Sequence, residues 1–318
     1  MLNILKRFPG SIFKPFLGSY PSYNLQITSC FSTDLKKADL EKRRKEMMSK
    51  GLPKQKPIKG VKHIILVCSG KGGVGKSTAS VNLATVLKII NPKKEVGLLD
   101  TDVFGPSIPL MMNLHEEPFL TKDNLMEPLV NYGVKWYVMS MGFLVAKDAP
   151  VIWRGLMVMQ ALERLMRQVD WGEIEYLIVD TPPGTGDTHL SLVQNLPISG
   201  VVLVTTPQSA ALQVTKRGAM MFKKLKVPLI GIVENMSSVK CTSCSADIKI
   251  FGEGTKGLAK ELDCDILGSF PLSQEISHTS DKGIPVVVEN RESCNSQLYR
   301  KVAESVVVFL EKNRASEL

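Results

Sequence analysis

The sequence predicts an α/β fold with a mostly parallel, doubly wound sheet, and three observations carry that expectation. From about residue 61 onward, short β-branched runs alternate with longer helical patterns, the order expected of βαβ units. Each run has a continuous apolar stretch rather than an alternating one, as strands covered on both faces do. A glycine-rich stretch at 70–77 falls directly between the first run and a helical pattern, at the edge where open sheets bind their ligands.

In chain order, HIILVCS (63–69), EVGLLDTD (95–102), YLIVDTPP (176–183), VVLVTTPQ (201–208) and LIGIVENM (229–236) read as the main strands. VKWYVMSMG (134–142) and DILGSFP (265–271) read as shorter ones. Helices are expected between them over 77–90, 154–169, 209–225 and 254–262. A last helix over 296–312 sets Leu298, Val302, Val306 and Leu310 at helical spacing, which makes a core face. With no internal repeat, 61–318 is most economically one α/β domain.

The 318 residues contain no run of 18 uninterrupted apolar side chains, so no spanning helix is expected. The formal charge is +9, but its distribution matters more than its total. Residues 1–33 hold Lys6, Arg7 and Lys14, many hydroxyls and no acid. That composition predicts an organelle transit peptide over 1–35. The segment 36–60 is polar, basic and broken by Pro and Gly, as a solvated leader is. The two segments hold most of the excess charge, so nucleic acid is not an expected partner. Six cysteines in so long a chain do not suggest a disulfide framework.

Gly70, Lys71, Gly72, Gly73, Val74, Gly75, Lys76 and Ser77, followed by Thr78, satisfy the phosphate-loop pattern. Its glycines let backbone N–H groups curl around an anion, and the helix N-terminus adds its dipole. Lys76 would reach the terminal phosphates of a nucleotide such as ATP, and the Ser77 hydroxyl would ligate Mg2+. Asp180 closes a strand, where an acid can hold the magnesium shell. The Thr181 to Asp187 stretch after it is a loop of the kind that senses a γ-phosphate. Asp100 and Asp102 sit at and just beyond the end of another strand.

Cys241 and Cys244 stand two residues apart in the polar insertion MSSVKCTSCSADIKIFG. Two thiolates are half of a tetrahedral set, because zinc and cubane clusters want four ligands. A two-fold dimer would complete the set on its axis. Structural zinc and redox chemistry are the rival readings. A catalytic redox pair usually sits at a helix N-terminus, and none is evident here.

KGGVGKST resembles the deviant phosphate loop of the family that includes nitrogenase iron protein, MinD, ParA and the arsenite ATPase. The resemblance implies that Lys71 reaches the partner subunit's nucleotide, that Asp102 orients the attacking water, that Asp180 serves the metal and that Asn235 reads adenine. GKGGVGKS, LLDTDVFGPS, LIVDTPPGTGD, VTTPQ, ENMS and the Cys-x-x-Cys insertion, in this order, resemble the Mrp and Nbp35 branch of cluster-carrying ATPases over about residues 60–315. The branch usually has Cys-Pro-x-Cys followed by glycine; Thr242 and Ser245 stand in those places here. The resemblance implies a homodimer with a bridging [4Fe-4S] cluster, delivery to apo iron–sulfur proteins such as complex I subunits, and slow ATP hydrolysis. It also implies the mitochondrial matrix, with peripheral contact to the inner membrane. A MinD- or ParA-like partitioning ATPase is the alternative, and a metabolic kinase is a weaker one.

Overall fold

The structure, a computed structural model, describes residues 55–317 apart from 104, 132–135, 145–154, 242 and 245. The expected transit peptide, leader residues 36–54 and Cys30 lie outside the described residues, as do Arg154, Thr242, Ser245 and the first two residues of the expected strand 134–142. The chain divides into Met1–Leu52 and Pro53–Leu318, and all the described elements belong to the second unit.

Ten strands, nine α-helices and one short 3-10 helix (Met141–Leu144) are described: β1 Val61–Ser69, α1 Lys76–Ile90, β2 Val96–Asp100, α2 Ile108–Met111, β3 Leu129–Val130, β4 Trp136–Ser140, α3 Gly155–Arg167, β5 Ile174–Asp180, α4 Asp187–Asn195, β6 Gly200–Thr205, α5 Ser209–Lys224, β7 Leu229–Glu234, β8 Val239–Lys240, β9 Asp247–Ile248, α6 Thr255–Leu262, β10 Ile266–Ser269, α7 Gln274–Asp281, α8 Val286–Glu289 and α9 Cys294–Glu317. Eight strands form one sheet in the order β10-β7-β6-β1-β5-β2-β4-β3, and β8 and β9 form a separate hairpin. All pairings in the large sheet are parallel except β3 with β4. Every residue of β2 and β6 is buried, which is why these strands read as unbroken apolar runs.

Two apolar layers cover the sheet. On one face Leu83, Val86 and Leu87 of α1 pack with Tyr299, Val302 and Val306 of α9. On the other, Leu162, Leu192, Phe222 and Leu258 come from α3, α4, α5 and α6. β1 lies between β5 and β6, so the strand order runs outward in both directions from it. A crevice therefore opens beyond the carboxyl ends of β1 and its neighbours.

The packed domain begins earlier than the expected boundary at 61. The Lys56 N–H donates to the Asn195 carbonyl (2.9 Å), Arg167 donates to the carbonyls of Lys56 and Pro57 (2.9 and 3.3 Å), and Ile58 is buried. The expected leader 36–60 thus overlaps the fold over 55–60, whose polar side chains conceal backbone anchoring. Four helices (α2, α4, α7 and α8), the edge strand β3 and the hairpin were not expected. α2 and α8 span one turn each, and β3, β8 and β9 have two residues apiece, too short for a period to register.

Candidate nucleotide site and cysteine hairpin

The glycine loop joins β1 to α1 at the centre of the crevice. Gly75 caps α1 with φ +87°, in the left-handed region that costs any residue bearing a Cβ. A Cβ there would also collide with the Asn235 amide nitrogen. At Gly70 a Cβ would stand 2.5 Å from the Thr215 backbone nitrogen of α5. These two glycines let the loop lie flat between β7 and α5.

Asp180, fully buried at the end of β5, is the hub of the site. Its Oδ2 accepts from Lys76 Nζ and from Ser77 Oγ, both at 2.6 Å, and Oδ1 accepts from Ser80 Oγ at 2.6 Å. Lys76 and Asp180 form a buried ion pair. The Thr101 hydroxyl and N–H bind the Asp180 carbonyl at 2.8 and 2.9 Å. The expected phosphate-binding lysine, magnesium-binding serine and strand-end acid therefore converge on one carboxylate.

Asp100 is the register partner of Asp180 on β2 and is also fully buried. It accepts from Asp102 N–H (3.0 Å) and Ser140 Oγ (2.9 Å). Burial, and then the neighbouring Asp180 charge, push its carboxyl upward to about 7. Asp102 is partly exposed just beyond it. Lys71 is exposed on the outer side of the loop. Asn235 is partly buried at the end of β7, where its Nδ2 donates to the Val74 carbonyl (2.9 Å) and its Oδ1 accepts the Met236 N–H (3.0 Å).

Sequence reasoning missed Ser80, Ser140 and His189. Ser80 follows Ser77 by three residues on α1, which put both hydroxyls on one face. His189, fully buried on α4, lies 3.0 Å from Thr181 Oγ1 through Nε2. That hydroxyl donates to the Val67 carbonyl (3.0 Å), so it accepts from His189 and fixes the Nε2–H tautomer. Nδ1 has no partner among the described residues. Burial, and to a lesser degree Lys76, lower this imidazole to about 4, so it is neutral at physiological pH.

The cysteine pair occupies the turn between β8 and β9. Val239 pairs with Ile248 and Lys240 with Asp247, and the Cys241 N–H donates to the Ala246 carbonyl (2.9 Å). Cys244 is exposed and Cys241 half-buried. The N–H groups of Cys244 and then Ser243, directed at the Cys241 sulfur, hold its thiol below the usual range, which favours thiolate. Cys68 and Cys264 differ. Burial pushes Cys68 up to about 12 and raises Cys264. Ile248 of β9, and Ile250 and Phe251 just after it, expose apolar side chains. The next helix, α6, starts only at Thr255, so no helix N-terminus activates these thiols.

A glycine loop, the following helix and a strand-end carboxylate at the switch point of a parallel sheet define a phosphate-loop nucleotide-binding protein of the ParA class. Residues 60–307 match the family model described as ParA: NUBPL iron-transfer P-loop NTPase, and the chain belongs to that family. It is 55% identical to the iron-sulfur cluster transfer protein NUBPL of Mus musculus over 84% of each chain. Identity is 49% to the Arabidopsis thaliana protein named "Iron-sulfur protein required for NADH dehydrogenase, mitochondrial", over 81% of this chain and 82% of that one. Among solved structures, an ADP complex of the nucleotide-binding protein from Archaeoglobus fulgidus superposes with a TM-score of 0.63 at 33% identity, covering 74% of this chain and 91% of that one.

Proposed function

We propose that this protein is a mitochondrial, nucleotide-controlled carrier that holds a [4Fe-4S] cluster between two copies of itself and hands it to apo-proteins. The observation that carries the reading is the β8–β9 hairpin. It presents two thiols in one exposed turn, one of them polarised toward thiolate by two backbone N–H groups. Cys241 and Cys244 supply half of a four-thiolate set, and the same pair from a second copy supplies the rest. The exposed apolar side chains at 248, 250 and 251, which follow the thiols in the same insertion, suit burial against that copy. The relatives' names support iron–sulfur cargo, and the Arabidopsis name favours NADH dehydrogenase subunits among the clients. Residues 1–35 have the composition of a matrix-targeting segment.

Control comes from the nucleotide loop. The N–H groups of 70–78 wrap the phosphates, and Lys76 leaves Asp180 to meet the terminal ones. Ser77 and Asp180 present the oxygen donors that a hard cation takes, so they would hold Mg2+, which neutralises phosphate charge when bound. Asp102 orients the attacking water, and the exposed Lys71 reaches the partner's nucleotide. Asn235 retains one Nδ2 hydrogen and one Oδ1 lone pair for adenine. The partitioning alternative needs a terminal membrane or DNA anchor, whereas Tyr299, Val302, Val306 and Leu310 commit α9 to the core.

Anaerobic reconstitution with iron and sulfide tests the reading. Wild type should hold about four irons per dimer, with broad thiolate-to-iron absorption. Cys241→Ser removes two of the four ligands by symmetry, so iron should collapse rather than halve while nucleotide binding persists. Cys264→Ser and Cys294→Ser should leave iron unchanged. Full iron in Cys241→Ser, or zinc without sulfide in protein purified anaerobically, overturns the carrier function.

A further inference from the structure

At the sheet edge opposite the nucleotide, a groove of about 880 Å³ runs between the amino ends of β1 and β7 and the last turns of α9. Its lining is mixed: Ile198, Leu229 and Phe309 are among its apolar side chains, and its cations are Lys62, Lys226 and Arg314. No carboxylate lines it. Lys62 is shared with Glu175 at 2.7 Å, while no carboxylate among the described residues lies within ion-pair distance of Lys226 or Arg314. His63 is also in the wall. Burial lowers its pKa most, and Lys62, Arg314 and Lys94 lower it further against Glu175.

Lys226 carries a second signal. Its φ is +59°, just past the end of α5, where glycine is the usual residue. A lysine in that strained conformation keeps its charge on the rim at the expense of local backbone energy.

We infer that this groove docks an acidic segment of a partner protein, with an apolar anchor side chain between the walls and carboxylates on Lys226 and Arg314. The proposal goes beyond the carrier function and does not depend on it. Charge complementarity selects the occupant. The chain's own 36–54 has the wrong charge for such a groove, with eight Lys and Arg against three Asp and Glu. A flat anionic bilayer would take protruding apolar side chains. Among the described residues, none of the large apolar side chains that stand well exposed belongs to the groove; its apolar side chains are recessed, within reach of a side chain on a narrow polypeptide.

The test uses the full chain and a fluorescein-labelled synthetic peptide of about a dozen residues alternating Glu with Leu, a length that fits a groove of this class. Anisotropy should show saturable binding that weakens with added salt, and the counterpart with Lys for Glu should not bind. Lys226→Gly removes the cation while relieving the backbone, so misfolding does not confound it. Combined with Arg314→Gln it should weaken the acidic peptide at least about tenfold, the scale of 1.4 kcal/mol, with nucleotide affinity and melting temperature retained. Absence of acidic-peptide binding, equal binding by the double variant, or flotation of wild type but not the double variant with vesicles containing anionic phospholipid would overturn the proposal.

Discussion

Replacing Lys76 should cost stability as well as ligand. Its Nζ sits 2.6 Å from Asp180 Oδ2, and the two side chains retain only 7% and 1% of their exposure. Removing one partner of such a pair leaves a buried, uncompensated charge, at about 3–5 kcal/mol. The hydroxyls of Ser77 and Ser80 continue to donate to Asp180 at 2.6 Å, which places Lys76→Met near the lower end, about 3 kcal/mol. For a domain of this size that corresponds to about 6–12 °C in melting temperature. Urea denaturation without nucleotide measures the effect directly. In the double variant Lys76→Met with Asp180→Asn the stranded charge is gone, so much of the loss should be recovered, with a coupling of about 1–3 kcal/mol between the sites. A Lys76→Met protein within about 0.5 kcal/mol of wild type, the range of an ordinary surface change, would refute the reasoning, as would strict additivity in the double variant.

Three further outcomes follow from the site. Gly75→Ala should lose about 2 kcal/mol or more, since left-handed φ alone costs about 1–2 kcal/mol and the new Cβ meets Asn235; adding Asn235→Ala should recover only the collision, by urea midpoint. His189, lowered from 6.5 to about 4, binds its proton more readily in the unfolded chain. Its contribution is therefore complete above pH 6.5 and lost as pH falls toward 4, by about 3 kcal/mol at 1.36 kcal/mol per pH unit; His189→Gln should flatten that part of the pH profile of denaturation. Mixing Lys71→Ala with Asp102→Asn subunits should restore hydrolysis that each lacks alone, because a mixed dimer carries one site with both groups intact; no recovery after verified subunit exchange counts against action across the interface.

The sheet was legible because its central strands are apolar runs covered on both faces, and all seven expected strands are present in the structure. The phosphate loop was legible because its chemistry needs glycines at fixed spacing. Asp180 could be read from its strand-end position, and so could Asp102. What could not be read was the set of groups that hold these in place. Ser80 and Ser140 come from other elements and meet Asp180 and Asp100 only through folding. His189 lies in a stretch where no helix was expected, and its contact with Thr181 arises only when folding brings α4 against the end of β5. The domain's first residues, 55–60, were assigned to the leader because their anchoring is through backbone groups, which composition does not reveal.

The nucleotide loop and the cysteine hairpin are far apart in sequence, yet they share one short connection. Asn235 closes β7 through its N–H on the Thr205 carbonyl at 2.7 Å and holds the Val74 carbonyl of the loop at 2.9 Å. The segment from it to β8 is pinned at each step. Met236 N–H turns onto Asn235 Oδ1 (3.0 Å), Ser237 N–H and Oγ donate to the Phe270 carbonyl (2.9 and 3.0 Å), and the Ser238 carbonyl accepts from Leu272 N–H (2.8 Å). Met236 takes φ +55° to make the turn, which a methionine accepts only where surrounding bonds fix it. A six-residue step from Asn235 to Cys241 spans at most about 20 Å, and its hydrogen bonds leave little slack to absorb a displacement. Asn235 thus ties the Val74 carbonyl of the nucleotide loop to the connection that leads to the hairpin, and the cysteines stand on a two-stranded ribbon outside the main sheet.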